Sequence, residues 1–401
     1  MYLTHLALTN FRLFSRLDMN IPRRVLLLQG ANAQGKTSLL EAIYFLATFT
    51  SFHAQSDRQL VNFVATREAL AVTRLVGTYF RAEKSHKLEI RLIQESNGNG
   101  GARLRKETLL DGVKTPPNQL VGHFSAVIFL PQMTRIIEEG PDERRRYLNL
   151  AIAQGDPFFT QTLSEYNNAV TQRNALLKML SERGGDAAQL DYWDEMVTSR
   201  GARILQARIN AIKEIDQIAA RIHDKLTGSK EVLRLIYQPS YDPLQKPNGQ
   251  ISLPIQTPVN REGFSMDQLQ QGFLSQLRAA RSEEIFRGVT SIGPHRDEMR
   301  IQSNGIDLTD FGSRGQIRTA LLSLKLAEVD WLKQRTTQWP VLLLDEIMAE
   351  LDLHRRKFLI DYLENAEQTI MTTTDLHLFP EAFAENCEKW TIDSGSVIHP
   401  D

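Results

Sequence analysis

Residues 30–37 read Gly-Ala-Asn-Ala-Gln-Gly-Lys-Thr, in which the glycines, the lysine and the threonine have the spacing of a phosphate-binding loop. In such a loop the backbone N–H groups point at one anion, the lysine reaches the β- and γ-phosphates, and the threonine hydroxyl binds Mg²⁺. Val25–Leu28 predicts the strand before the loop, and residues 38–43 predict the helix after it. We therefore expect a nucleoside triphosphate with Mg²⁺ at Gly30, Asn32, Ala33, Gln34, Gly35, Lys36, Thr37 and Ser38, with Lys36 also catalytic and Thr37 a metal ligand.

A second chemical feature lies near the other end of the chain, where the apolar run Val341–Leu344 ends in Asp345 and Glu346. A buried strand that ends in two acids can hold Mg²⁺ with the first acid and polarise the attacking water with the second. The segment Ala-Glu-Leu-Asp that ends at Asp352 has the form of the D-loop that follows this strand in ABC-type ATPases. The long separation between Lys36 and Asp345 disfavours compact GTPases and kinases.

A third feature is the sequence Gly-Ser-Arg-Gly-Gln at residues 312–316, which stands before a predicted helix with apolar residues on nearly every face. The N-terminus of such a helix is an anion site. Taken alone, the pattern also fits a serine that caps a buried helix. In the order of P-loop, insertion, acidic strand and D-loop it fits an ABC signature loop, so Ser313, Gly315 and Gln316 are expected to contact ATP held by another subunit. ATP would then join two copies in a homodimer.

Composition sets limits on the class of protein. The 401 residues are 42% hydrophobic and 24% charged, which is ordinary for a globular chain. The net charge of -1 gives no overall attraction to nucleic acid, so any DNA contact must come from local basic clusters. The single cysteine, Cys387, excludes an internal disulfide framework, and no apolar run approaches the roughly 20 residues of a membrane helix. We expect a cytoplasmic protein.

The elements that must position these residues follow from periodicity. Short apolar runs alternate with turns over residues 1–130, with a tight loop at 97–101, and predict a strand-rich lobe. Residues 144–226 have a helical pattern with a break at 183–186, and helical character returns at 266–286. Between them, residues 238–261 carry five prolines, Pro239, Pro243, Pro247, Pro254 and Pro258, which predict an irregular excursion.

The predicted fold is therefore α/β, an ABC-type P-loop ATPase head with a strand-rich nucleotide lobe and an inserted helical arm. We expect three segments: an N-terminal part of the head over residues 1–130, an arm over 131–286, and a C-terminal part of the head over 287–401. The last segment would contain the signature loop, the acidic strand and the D-loop.

Three separated motifs in this order resemble the RecF family of bacterial recombination-repair ATPases, which is related to SMC heads. They are Leu-Thr-Asn-Phe-Arg at residues 8–12 with the P-loop, Gly-Pro-Asp-Glu-Arg-Arg-Arg-Tyr-Leu-Asn at 140–149, and Ser-Ile-Gly-Pro-His-Arg-Asp at 291–297. The resemblance covers nearly the whole chain. Glu139 departs from the glycine that is common at its position, so the shape of the loop before the second motif is open.

The resemblance implies roles for further residues. Arg12 would lie over the ATP phosphates or be an ordinary surface arginine, and Gln132 would contact Mg²⁺ and the attacking water. The family lacks the switch histidine of many ABC proteins, so the γ-phosphate sensor is expected at Thr374 or Asp375, with His377 as a rival.

The resemblance also implies function and partners. It predicts an ATPase whose hydrolysis is weak and stimulated by DNA, and whose ATP-bound dimer clamps double-stranded DNA near single-strand gaps. It further implies work with RecR and RecO to load RecA. Two alternatives remain at this point: an SMC-like ATPase that switches a protein effector, and a transporter nucleotide-binding subunit.

Several charged motifs admit two interpretations. The run Arg144–Arg146 could bind DNA or pair with acids of its own chain, and we favour pairing. For His295, Arg296 and Asp297 we favour a structural or interface role. The basic groups at 103–106 and 355–357 could contact phosphates or be solvated faces.

Overall fold

The computed structural model describes residues 1–68, 70–97, 101–244, 261, 263–393 and 395–398. Residues 98–100 of the predicted tight loop lie outside the described residues, as do Pro247, Pro254 and Pro258 of the proline-rich segment. The chain divides into two compact units, one formed by residues 1–133 with 328–401 and the other by residues 134–327.

In chain order the strands and helices before residue 134 are β1 (Tyr2–Phe11), β2 (Phe14–Asn20), β3 (Val25–Gln29), α1 (Lys36–Thr48), β4 (Leu70–Arg81), β5 (Lys84–Asn97), β6 (Gly101–Leu110), β7 (Val113–Lys114) and β8 (Ala126–Phe129). The next are α2 (Arg135–Glu138), α3 (Pro141–Gly155), α4 (Phe159–Arg183), α5 (Leu190–Thr227), β9 (Leu233–Gln238), α6 (Met266–Arg287), β10 (Glu298–Ser303), β11 (Ile306–Asp307) and α7 (Leu308–Phe311). The last are α8 (Arg314–Thr336), β12 (Val341–Asp345), α9 (Leu353–Leu363), β13 (Thr369–Thr373), α10 (Glu381–Glu385), β14 (Glu388–Asp393) and β15 (Ser396–Ile398).

The first unit contains two sheets with the helix α1 in contact with both. One sheet is antiparallel with the order β2-β1-β4-β5-β6-β7, and the other has the order β15-β14-β3-β13-β12-β8. In the second sheet β14, β3, β13, β12 and β8 run parallel, and only β15 is antiparallel. The fully buried β12 and β13 and the buried apolar residues of α1 form the core at this place.

The second unit contains the long helices α4 and α5, which pack against each other and against α6, and a small sheet of order β11-β10-β9. Helix α4 ends at Arg183, which confirms the predicted break, and α6 covers the second predicted helical stretch. A buried ionic network holds the helices together, because Arg173 of α4 lies 2.7 Å from Asp194 of α5 and 2.7 Å from Glu284 of α6.

The fold is α/β with the elements in the predicted order. The compact units nevertheless differ from the predicted segments, since residues 287–327 belong with the helices rather than with the C-terminal part of the head. The physical reason is strand pairing: β10 lies antiparallel to β9, with Glu298 opposite Gln238 and Ser303 opposite Leu233. The predicted signature loop, residues 312–316, is therefore part of the second unit.

No helix in the described part of the chain combines the length and the apolar character that crossing a bilayer requires.

Candidate functional site

The predicted phosphate-binding loop connects β3 to α1 at the carboxyl end of the parallel sheet. Gly35 caps α1 with φ of 111°, a left-handed conformation that favours glycine, and a Cβ there would lie 3.2 Å from the Phe14 ring. At Gly30 a Cβ would lie 2.4 Å from the carbonyl oxygen of Ile392 in β14. The two glycines therefore allow the loop to turn tightly against its neighbours, as an anion-binding loop requires.

Lys36 is the first residue of α1, and its ammonium group is buried at the loop. It donates to the carbonyl oxygens of Gly30 at 2.6 Å and Ala31 at 3.0 Å, and it lies 3.2 Å from Glu346. The ammonium group thus has three oxygen neighbours. A phosphate oxygen bound at the loop could take a place among them.

Thr37 and Asp345 meet although 308 residues separate them in sequence. The Thr37 hydroxyl lies 3.0 and 2.9 Å from the two carboxylate oxygens of Asp345. Asp345 ends β12, which lies beside β13, and it accepts a second hydrogen bond of 2.7 Å from the hydroxyl of Thr372. A hydroxyl and a carboxylate at one place form a donor set that fits Mg²⁺ held jointly with phosphate oxygens.

Glu346 follows Asp345 in a left-handed conformation, with φ of 50°, which is uncommon for a residue with a side chain. Its N–H donates to the Thr372 hydroxyl at 3.0 Å, and its carboxylate accepts from the N–H of Thr374 at 3.2 Å and from the Thr374 hydroxyl at 3.4 Å. Oε1 of Glu346 is buried and lies 3.2 Å from the Lys36 ammonium group as an ion pair. It accepts no well-directed hydrogen bond from the described residues. The backbone conformation and these contacts hold the carboxylate beside Lys36.

Three other predicted residues lie just after a strand or at the start of a helix or turn. Gln132 lies in the turn of residues 131–134 after β8, and β8 pairs with β12 so that Phe129 is opposite Leu344. Asp352 caps α9 by accepting from the Arg355 N–H at 2.9 Å. Asp375 also caps a short turn, accepting from the His377 N–H at 2.9 Å. Of the three sensor candidates, only Thr374 has a described contact with Glu346.

Arg12 has a partner that the sequence did not indicate. Its guanidinium donates two hydrogen bonds of 2.7 Å to the carboxylate of Glu41 in α1, and a third of 2.9 Å to the carbonyl oxygen of Gln59. Glu41 is buried and also accepts from the Ser51 hydroxyl. Arg12 is therefore fixed to the helix that begins with Lys36, and it is not an unattached surface side chain.

The predicted signature loop lies in the second unit at the start of α8. Gln316 donates its N–H to the Ser313 hydroxyl at 3.2 Å, and the Gln316 side-chain oxygen accepts from the Ser313 N–H at 3.1 Å. This reciprocal pair is a capping box. The alternative in which Ser313 caps the helix that follows it is therefore confirmed for this conformation. The Gln316 amide also donates to Glu231 at 3.4 Å. A Cβ added at Gly315 would meet none of the described neighbouring atoms within 4 Å, so the surroundings of this glycine are open.

The charged motifs are mostly structural. Arg144 donates to both carboxylate oxygens of Glu298 at 2.7 Å, and Arg145 pairs with the carboxylate of Asp142, which confirms the favoured pairing with acids for these two residues. Asp297 itself accepts from Arg208 at 2.8 Å and from the Tyr237 hydroxyl. The structural role favoured for the segment 295–297 is thus confirmed for Asp297.

Comparison with known proteins identifies the family. The family described as RecF/RecN/SMC N terminal domain matches residues 2–395. Among curated proteins, DNA replication and repair protein RecF of Roseiflexus castenholzii is 37% identical, covering 99% of this chain and 99% of that protein. The protein of the same name from Acetivibrio thermocellus is 35% identical, covering 94% of this chain and 95% of its own length. The chain belongs to the RecF family.

Solved structures agree with this assignment. A structure described as the recombination mediator protein RecF-ATPrS in the RecFOR pathway has a TM-score of 0.83 and 30% identity, and covers 100% of this chain and 98% of that one. An Smc head domain from Pyrococcus furiosus, with a TM-score of 0.50 and 16% identity, shows the fold alone. The fold is that of an ABC-type ATPase head, and membership of the RecF family removes the transporter subunit from the alternatives.

Sequence reasoning missed two residues of the site. Thr372 joins Asp345 to the Glu346 backbone, and Glu41 holds Arg12. Thr372 is the first of three consecutive threonines, and the side chains of a strand alternate between its two faces. Alternation indicates which threonines share a face, but it does not indicate which strand lies beside them, so the contact of Thr372 with Asp345 was not predicted. Nothing local pointed to the pairing of Arg12 with Glu41 either.

Proposed function

We propose that the chain binds ATP with Mg²⁺ at the loop Gly30–Ser38. The observation that carries this proposal is the contact of the Thr37 hydroxyl with both carboxylate oxygens of Asp345. Mg²⁺ prefers oxygen ligands and is usually bound by one or two protein groups together with substrate phosphates. Thr37 and Asp345 fit as its protein ligands, with Gln132 as a further ligand. The solved RecF structure described with ATPrS supports the same choice of nucleotide.

Hydrolysis is assigned to Glu346 as the group that orients and polarises the attacking water. Bound Mg²⁺ would offset the negative charge of the phosphates. Lys36 would stabilise the charge on the transferred phosphoryl group, and Thr374, which donates to Glu346, would sense the γ-phosphate. Glu346 already has an ionic partner in Lys36, so ATP must compete for this lysine. We expect slow hydrolysis that DNA stimulates, as suits a switch.

ATP would join two copies of the chain. The loop of residues 30–38 encloses the phosphates from one side, and the missing donors would come from Ser313, Gly315 and Gln316 of a second copy, with Asp352 at the same interface. The open surroundings of Gly315 support this role, because backbone N–H groups at the start of α8 can approach an anion without a side chain in the way.

The ATP-bound dimer would clamp double-stranded DNA near a single-strand gap and release it on hydrolysis. Relatives named DNA replication and repair protein RecF support a role in these processes. The description of the solved RecF as a recombination mediator in the RecFOR pathway supports RecR and RecO as partners in loading RecA. The cytoplasm stays the predicted compartment.

The test is the fluorescence anisotropy of labelled gapped duplex DNA titrated with the Glu346→Gln variant, with ATP and with ADP at the same moderate salt concentration. Tight binding with ATP and weak binding with ADP is the expected result. Equal binding in both states, or none in either, would overturn the nucleotide-gated clamp and favour the alternative in which the ATPase switches a protein effector. Lys36→Met serves as the control that cannot bind nucleotide.

A further inference from the structure

The open face of the antiparallel sheet in the first unit has a row of arginines that no part of the ATP site uses. Strand pairing sets this row: Arg16 of β2 is opposite Thr9 of β1, Thr9 is opposite Arg74 of β4, and Arg74 is opposite Arg91 of β5. Residues that are directly opposite in neighbouring strands lie on the same face. The three arginines therefore share one face.

The row continues into β6 and β7. Arg91 is opposite Glu107, and the neighbouring alternate positions Arg105 and Arg103 are opposite Ile93 and Glu95. Alternation along the strand places Arg103 and Arg105 on the same face as Glu107. Lys114 of β7 reaches this face as well, because its ammonium group lies 3.1 Å from Glu107.

The other face of the sheet is the buried one. Leu75, Leu88, Ile90 and Leu92 alternate with the row and are at most 1% exposed. The arginine side chains, by contrast, reach solvent: 55% of the Arg105 side chain and 42% of the Arg74 side chain are exposed. A sheet with one buried face presents the other to water or to a partner.

Two carboxylates on this face are each shared by two cations. Glu89 accepts from Arg74 at 2.7 and 2.9 Å and from Arg91 at 2.6 Å, and hydrogen bonding to these arginines, Arg74 first, lowers the pKa of Glu89 to about 2. Glu107 lies 3.0 Å from Arg105 and 3.1 Å from Lys114. Each of these groups of three side chains keeps one positive charge that its own acid does not balance.

The remaining acids do not cancel this excess on the row. Asp18 is held by His5 at 2.7 Å, and Glu95 is opposite Arg103. Arg16 is exposed. Guanidinium groups donate in a planar fork that matches the oxygens of a phosphate, and they keep spare N–H donors when one carboxylate is already bound.

We propose that this sheet face, defined by Arg16, Arg74, Arg91, Arg103, Arg105 and Lys114, binds the phosphate backbone of double-stranded DNA. The row runs from β2 to β7 across six strands with five spacings of about 4.8 Å, and so spans about 24 Å, the length of about seven base pairs. The inference rests on the proposed function, since it names the surface with which the ATP-bound dimer holds DNA. Contacts of this kind are independent of base sequence and set affinity and salt dependence.

The test compares variants in the Glu346→Gln background with ATP, by anisotropy of a gapped duplex over a series of salt concentrations. R16A/R105A removes one charge near each end of the row, and neither arginine hydrogen-bonds the buried Glu89. K84A is the matched control, because Lys84 is exposed in β5 of the same sheet and alternation places it on the other face. R16K/R105K restores the charge.

We expect R16A/R105A to weaken DNA binding by at least about tenfold and to make the slope of log affinity against log salt shallower by about 2 or more, since each lost phosphate contact contributes about 0.9. K84A should match the parent protein, and R16K/R105K should recover most of the slope. Unchanged affinity and slope in R16A/R105A would overturn the inference about this surface, while the proposed ATP-dependent DNA binding would be unaffected. Absence of ATP-dependent binding by the parent itself would overturn the proposed function as well.

Discussion

The ammonium group of Lys36 lies 3.2 Å from Oε1 of Glu346, so the proposed phosphate-binding cation and the proposed hydrolytic acid are paired with each other. Lys36 is only 5% exposed, and its remaining partners are carbonyl oxygens of its own loop. Phosphate oxygens bound there would compete for the lysine and leave Oε1 of Glu346 without it. ATP binding would thereby free the carboxylate to bind the attacking water.

Glu346→Gln should lower the rate of ATP hydrolysis by about 100-fold or more, because an amide cannot accept the proton of the attacking water. The affinity for ATP should be kept or rise, since phosphate binding is assigned to other groups and Lys36 loses its competing ionic partner. Single-turnover hydrolysis together with equilibrium nucleotide binding measures both quantities. Glu364→Gln, at the exposed end of α9, is the control and should hydrolyse ATP normally. Hydrolysis at the unmutated rate by Glu346→Gln would remove Glu346 from its role.

Thr372→Val should raise the Mg²⁺ concentration needed for half-maximal ATP binding, because the Thr372 hydroxyl donates to Asp345 and accepts from the Glu346 N–H. Loss of this hydroxyl should also lower the free energy of unfolding by about 1–3 kcal/mol. Thr369→Val in the same strand is the matched control, since the buried Thr369 hydroxyl has no hydrogen-bond partner among the residues that the structure describes. Equal Mg²⁺ dependence of the two variants would contradict the account of Thr372.

The local part of the site could be predicted from sequence, because a P-loop and the strand–acid pattern are each contiguous. The contact of Asp345 with Thr372 could not be predicted in this way. It depends on β13 lying beside β12 in a register that places Thr372 opposite Asp345. Periodicity shows that a stretch is a strand, but it does not specify the partner strand. Thr372 therefore appears only when the sheet order is known.

The same limit explains the segment boundary. Residues 287–327 alternate strands and helices like the head that follows them, so composition and period could not separate them from it. Their place is decided by the pairing of β10 with β9, about 60 residues earlier in the chain. Arg12 is a similar case, because Glu41 is 29 residues away and lies on a helix whose pattern indicates only burial.

Arg144→Gln should destabilise the protein without changing how DNA binding depends on salt. The side chain is buried and makes a bidentate pair with Glu298, so its loss leaves an acid with reduced compensation, at a cost of about 3 kcal/mol or more. Denaturant unfolding and the salt slope of DNA binding measure the two effects. A shallower salt slope with unchanged stability would instead assign Arg144 to a phosphate contact.

Glu89→Gln should lower stability at neutral pH, on the order of 2 kcal/mol, because its arginine partners hold the pKa of Glu89 at about 2, below the ordinary value of 4.5. An acid whose pKa is lowered by folding stabilises the folded protein at pH values above its unfolded pKa. This stabilisation is lost as the pH falls through the folded-state pKa. The difference in free energy of unfolding between the two proteins should thus be constant above about pH 5 and shrink towards pH 2. A difference independent of pH would contradict the ionised pairing.

The central claim is that ATP joins the loop of residues 30–38 of one copy to the signature loop of another. The most direct test mixes two inactive variants, Lys36→Met and Ser313→Arg, and measures the ATP-dependent dimer by light scattering and ATP hydrolysis by phosphate release. Each variant alone should lack both activities, with ATP binding kept by Ser313→Arg. The mixed dimer has one site with an intact Lys36 and an intact Ser313, so the mixture should regain dimer and part of the hydrolysis. Full activity of Ser313→Arg alone, or no recovery in the mixture, would contradict the claim.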